Sequence, residues 1–144
     1  MKALSIPSEK DWFGYQNDFD AVDFHAIAFG KSNDELQEYF GKREGLRFSE
    51  LLRLPRPVFQ YYIFGFAQFV TSPAAKGDSD SASVFLALLE TREKEDPGCV
   101  RQIYGDLSKT IAFIAANQVY FDASVDIYGA FNDRAKQIER VCNA

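Results

Sequence analysis

The chain has 144 residues and a formal net charge of −5, with 47% hydrophobic and 26% charged residues. These values are typical of a soluble globular protein and argue against disorder over the whole chain. The length suits a single domain that can bury a core without metal or disulfide support, and the acidic balance argues against nucleic acid as the main partner.

Two features bear on the compartment. The most apolar run covers residues 58–70, which is shorter than the roughly 20 residues of a membrane span. The N-terminus lacks the basic start and apolar stretch of a signal peptide. We therefore expect a cytoplasmic protein with no membrane association, in which Cys99 and Cys142 are reduced thiols.

The N-terminal residues 1–16 predict an irregular arm, because Pro7 interrupts any early helix. Trp12, Phe13 and Tyr15 are predicted to anchor this arm on the body. The next segment, 19–29, is ambiguous. Apolar residues at helical spacing favour a helix, namely Phe19, Val22, Ala26, Ile27 and Phe29. Asp18 is the expected N-cap of this helix, and Gly30 is expected just beyond its end. A strand with Val22, Phe24, Ala26 and Ala28 on one face stays open.

Short helices are predicted to follow. Ser32 and Glu35 have the spacing of a capping box, which opens a helix that Gly41 ends. Ser49 is predicted to cap a further turn of helix.

The segment from Phe59 to Phe69 concentrates six aromatic residues and predicts a central helix over residues 57–71. One face carries apolar residues at the spacing of a core stripe, namely Phe59, Tyr62, Ile63, Phe66, Phe69 and Val70. Gly65 interrupts the opposite face. Because Gly is unfavourable inside a helix, we expect another backbone or a ligand to approach closely there.

Small and polar residues predict a flexible loop over 72–81. Asp80 or Ser81 is the expected cap of the next helix, whose tail over residues 92–96 is predicted to be solvated. Another helix follows Gly98, and a final one is expected to begin near Asp122. The sequence therefore predicts an all-α, irregular single-domain bundle of about five or six helices. No alternation of strands with helices and no internal repeat appears in it.

An acidic run contributes the first candidate site. Asp18, Asp20 and Asp23 precede the only histidine, His25, but at helical spacing the three carboxylates spread over more than one face. A charged cap and first turn is the simpler interpretation, and no metal ion or other cofactor is expected. As a surface, the same acids are candidate partner-binding residues.

A basic stretch contributes the second candidate. Five bases fall within residues 42–56, and they are Lys42, Arg43, Arg47, Arg53 and Arg56. Arginine can hold a carboxylate or phosphate through two hydrogen bonds, so Arg47, Arg53 and Arg56 are candidate partner-binding residues. An ordinary solvated surface is the alternative.

The face notched at Gly65 is the third candidate. Tyr61, Phe64 and Gln68 are predicted to line an apolar ligand pocket, with internal helix packing as the alternative. No catalytic motif accompanies these candidates, and no residue is assigned a catalytic role.

Three functions remain as hypotheses. The first is a non-enzymatic cytosolic protein-binding module, in one form an inhibitor or immunity-type protein that covers a basic surface of its partner. The second is a small-ligand-binding protein or enzyme with a pocket beside residues 61–68. The third is a homo-oligomeric structural protein.

Overall fold

A computed structural model describes residues 5–42 and 47–143. Eight α-helices and four 3-10 turns make up the regular structure of these residues, and strands do not occur among them. The helices are α1 (Phe19–Ala28), α2 (Gln37–Phe40), α3 (Arg47–Leu52), α4 (Arg56–Val70), α5 (Ser79–Glu95), α6 (Tyr104–Ala116), α7 (Val125–Tyr128) and α8 (Phe131–Asn143). The all-α prediction is confirmed, whereas the predicted number of five or six helices is too low.

The aromatic segment forms α4, one residue offset from its predicted bounds. It packs against α2, α3, α5 and α6, and its aromatic side chains belong to one continuous core. The Tyr62 hydroxyl donates to the carbonyl oxygens of Ala28 and Lys31, at 2.9 and 2.8 Å. This side chain therefore satisfies backbone acceptors at the end of α1 and fixes that helix against α4.

One predicted helix cap is confirmed, and a predicted capping box forms without capping its helix. Asp18 accepts a hydrogen bond from the Ala21 backbone amide at 3.0 Å and begins α1, which decides for the helix and against the strand. The capping box of Ser32 and Glu35 forms, but it encloses a turn before α2, whose N-cap is Leu36 and has no side-chain hydrogen bond. The charge-assisted bonds of this box lower the Glu35 pKa.

Several predicted boundaries are wrong. Ser49 lies inside α3 and does not cap it. Asp78, rather than Asp80 or Ser81, caps α5, so that helix begins within the loop predicted over 72–81. Asp122 adopts a left-handed conformation with φ 57° and caps no helix, since the N-cap of α7 is Ser124. Gly129, with φ 76°, ends α7, so the predicted single final helix is divided into α7 and α8.

The end of α5 is also not solvated as predicted, because Arg92 and Glu93 are buried there. Glu93 accepts hydrogen bonds from the backbone amides of Gly98, Val100 and Arg101, at 2.6 to 2.9 Å. Arg92 donates to the carbonyl oxygens of Leu52 and Leu54, each at 2.7 Å. The two charged side chains thus replace missing backbone partners where the chain turns, which sequence periodicity does not reveal.

Candidate functional site

The clearest unexplained surface is one face of α1. Phe19, Val22, Ala26 and Phe29 follow one another at positions i, i+3, i+7 and i+10, which places them along one side of the helix. All four are exposed, and Phe19 keeps 93% of its surface accessible. We call these four residues the α1 stripe. A regular apolar stripe normally faces a core, whereas this one faces solvent.

The opposite face of α1 explains this arrangement. Ala21, Phe24 and Ala28 are buried, and the Phe24 ring meets the Tyr62 ring edge-on at a centroid distance of 5.3 Å. The two alanines allow α1 to lie close to its neighbours, so this face supplies the intramolecular packing. Both sides of α1 therefore carry apolar residues. On the stripe side, Phe29 meets the rings of His25 and Trp12, whereas Phe19 stays almost fully exposed.

The N-terminal arm forms the boundary of an open pocket beside the α1 stripe. Ser8 and Asp11 form a capping box around the turn Glu9–Trp12, and Gly14, with φ 92°, reverses the chain before a second turn at Tyr15–Asn17. The pocket has a volume of about 1120 Å³. We call it the N-terminal pocket, and its lining residues include Trp12, Phe13, Tyr15, His25 and Phe29.

Aromatic contacts build the wall of this pocket. His25 stacks on Tyr15 with ring centroids 4.0 Å apart and meets Trp12 edge-on at 4.9 Å. Trp12 is 1% exposed and anchors the arm as predicted, whereas Phe13 is 89% exposed, so its predicted anchoring role is wrong. Phe29 belongs both to the pocket and to the α1 stripe, which makes the two surfaces continuous.

Trp12 also carries an unusual donor. Its buried indole Nε1 has no hydrogen-bond partner within residues 5–42 and 47–143. An unsatisfied buried donor costs stability, so packing of the large ring must offset that cost.

Carboxylates border the α1 stripe. Asp23 is exposed beside Val22, and Asp20 is half-buried on the neighbouring side of the helix. Glu50 of α3 is buried, and burial is the main cause of its raised pKa, to which the charges of Asp23 and Asp20 add. Glu50 accepts a 2.7 Å hydrogen bond from the Tyr39 hydroxyl. Two of the three candidate acids, Asp20 and Asp23, thus lie on α1, and the third, Asp18, is its N-cap.

The candidate basic residues do not converge on one site. Arg47 is buried and donates to the Phe40 carbonyl oxygen and to Ser81 Oγ, at 2.5 and 2.6 Å. Arg53 is exposed and lies 3.6 Å from Glu95, while Arg56 pairs with Asp96. Arg43 lies outside the described residues. Arg47, Arg53 and Arg56 thus make three separate contacts with other residues of the protein.

The notch at Gly65 is filled by the protein's own side chains. A Cβ at this position would lie 2.7 Å from Phe40 Cε2 and would overlap Asn33. The Asn33 backbone amide donates to the Tyr61 hydroxyl at 3.1 Å, and Gln68 donates to Asp34 at 2.8 Å. Phe64 is half-buried against the core. Tyr61 and Gln68 thus hold the segment that precedes α2 in place.

Neither thiol is poised for nucleophilic chemistry. Cys99 and Cys142 are unpaired and buried, and burial raises the pKa of each to about 11, which disfavours the reactive thiolate. Within the described residues, no three side chains of His, Cys, Asp or Glu form a group that could hold a metal ion. Among the same residues, none of the helices has the length and hydropathy needed to cross a bilayer.

Comparisons with protein-family models, with curated proteins and with solved structures find no match to this chain. The sequence pattern selected Asp18, Asp20 and Asp23 as candidate binding residues, and it indicated Phe19, Val22, Ala26 and Phe29 only as the apolar spacing of a helix, not as exposed residues. The available signal was that both faces of α1 are apolar, which one core cannot accommodate.

Proposed function

We propose that this protein is a non-enzymatic protein-binding module that docks its partner on the α1 stripe. The observation that carries the proposal is the outward position of Phe19, Val22, Ala26 and Phe29. Contiguous exposed apolar surface on soluble proteins marks interaction sites, and aromatic side chains are frequent anchors of binding energy. The adjoining N-terminal pocket supplies a concave end to the same surface.

The charge pattern supports a basic partner surface. Residues 5–29 contain five carboxylates and a single lysine, and complementary charge speeds association and selects partners. An inhibitor or immunity-type protein that covers a basic site is the specific form of this proposal. A cytoplasmic location is part of it, because two separate buried thiols suit a reducing compartment.

A small-ligand-binding function is the second candidate, and one observation favours it in a new place. The aromatic N-terminal pocket has the size and lining of a site for an apolar molecule. Homo-oligomerisation through the α1 stripe is less favoured, since a symmetric pair would bring Asp20 and Asp23 of two copies together.

Quantitative co-purification from the native host tests the leading proposal. The variant Phe19→Ser with Val22→Ser removes two exposed anchors, while Val119→Ser with Ile127→Ser removes two exposed apolar residues of another segment. We expect the wild type and the second variant to recover the same partner in similar yield, and the first variant to lose it. Equal recovery by all three proteins, or recovery of the wild type as a lone chain, would contradict the proposal.

A further inference from the structure

We infer that the partner element is a basic amphipathic α-helix, which lies along the α1 stripe and places a bulky apolar side chain in the N-terminal pocket. This inference rests on the proposed function and specifies the chemistry of the partner at the same surface. Shape, charge and the continuity of stripe and pocket are three separate arguments for it.

The shape argument comes from the spacing of the α1 stripe. From Phe19 to Phe29 the stripe extends about 15 Å at the rise of an α-helix. A straight ridge of this length, with side chains at i, i+3, i+7 and i+10, matches a helix that carries its own apolar residues every three or four positions. An extended strand would need unpaired backbone groups, and α1, as a helix, does not offer them to a partner.

Carboxylates beside this ridge favour a basic partner. Asp20 and Asp23 lie on α1 itself, and their charges act on Glu50 of α3. Glu9 lies at the N-terminal pocket, whose lining also includes Lys10 and His25. Lys and Arg residues that flank the apolar face of a partner helix would meet Asp20 and Asp23, whereas Glu50 is buried and accepts a hydrogen bond from Tyr39. A second copy of this chain would instead bring its own Asp20 and Asp23 against these carboxylates.

The N-terminal pocket adjoins the end of the α1 stripe. Phe29 is the last residue of the α1 stripe and also lines the N-terminal pocket. Phe13, 89% exposed, stands at the same pocket. A Leu, Met or aromatic side chain of the partner helix could therefore be covered on several sides, as anchor residues of interfaces are.

Synthetic peptides test the inference without the native partner. The first peptide is a helix of three to four turns with Leu on one face and Lys on both borders. The matched control replaces every Lys with Glu and keeps the Leu positions. Labelled-peptide anisotropy gives the affinity, and emission from Trp12, the only tryptophan, reports on the pocket when both peptides lack tryptophan.

We expect the Lys peptide to bind and to change Trp12 emission, and the Glu peptide not to bind. The double variant Phe19→Ser with Val22→Ser should bind the Lys peptide with an affinity at least about tenfold lower, since two apolar contacts are lost. Asp20→Asn with Asp23→Asn should weaken it roughly fivefold, and less at high salt. Val119→Ser with Ile127→Ser should leave the affinity unchanged.

Equal binding of the two peptides, failure of the Lys peptide to bind, or binding that is insensitive to Phe19→Ser with Val22→Ser would overturn the inference. The proposed function is judged separately by co-purification. If the native partner depends on Phe19 and Val22 while the Lys peptide does not bind, the protein-binding function stands and the helical, basic partner is excluded.

Discussion

At the scale of single residues, close contacts decide roles that composition leaves open. Gly65 and Gly105 both lie inside α-helices, yet their surroundings differ. Asn33 and Phe40 occupy the space beside Gly65, whereas, among the described residues, only the chain neighbours of Gly105 and the backbone of its own helix lie near the position of a Cβ on that residue. The notch at Gly65 is thus a packing requirement between α4 and the segment before α2.

Gly65→Ala should lower the free energy of unfolding by about 1–3 kcal/mol, because the added methyl group overlaps Asn33 and Phe40. Gly105→Ala is the matched control and should raise it by about 0.5–1 kcal/mol through helix propensity. Urea unfolding followed by circular dichroism measures both. A neutral or stabilising Gly65→Ala would show that the segment of Asn33 moves away without cost.

At the scale of elements, charged side chains join helices that the apolar pattern leaves unconnected. Asp96, just after α5, pairs with Arg56 of α4 and accepts a 3.0 Å hydrogen bond from Arg92. These bonds lower the Asp96 pKa, the Arg56 bond being the larger cause. The junction therefore depends on a negative charge at residue 96.

The Asp96 pKa gives a pH prediction. Because the folded-state pKa lies below the ordinary value of about 3.9, this carboxylate stabilises the fold fully above that value, and the contribution disappears as the pH falls through the folded-state pKa. Asp96→Asn should therefore cost about 1 kcal/mol at pH 7, a modest figure because the pair is partly exposed.

The same variant should flatten the dependence of stability on pH below about 4. Glu95→Gln is the control, since its partner Arg53 is exposed and 3.6 Å away, and it should change stability by less than about 0.5 kcal/mol. Unfolding curves measured from about pH 2.5 to about pH 7 provide the test, because this range extends to both sides of the ordinary aspartate pKa of about 3.9. Equal acid sensitivity of the wild type and Asp96→Asn would contradict this role.

At the scale of the whole molecule, one core spans elements from Trp12 in the N-terminal arm to Cys142 in α8. Cys99 lies between α5 and α6 and Cys142 lies in α8, so their reactivities report on opening of two different elements of this core. Both thiols have a pKa of about 11 because of burial.

At about pH 8, Ellman's reagent should therefore leave both thiols of the native protein unreacted over the time in which it labels the unfolded protein. The raised pKa alone lowers the thiolate fraction by about two orders of magnitude relative to an ordinary cysteine. Both thiols should react at once in guanidinium chloride. The variants Cys99→Ser and Cys142→Ser assign each signal, and rapid labelling of either thiol in the native protein would show that its region opens locally.

The sequence by itself determined the helical class, the position of α4, the N-cap Asp18 and the local hydrogen bonds of Ser32 with Glu35, because helical periodicity and capping are local properties. It predicted an acidic run but not the surface around it. Only the tertiary structure decided which of two apolar faces of α1 is buried, since that choice depends on the rings of Trp12 and Tyr62 that Phe24 meets. Likewise, Asn33 and Phe40 fill the notch at Gly65 from a distant segment, a contact that no local pattern encodes.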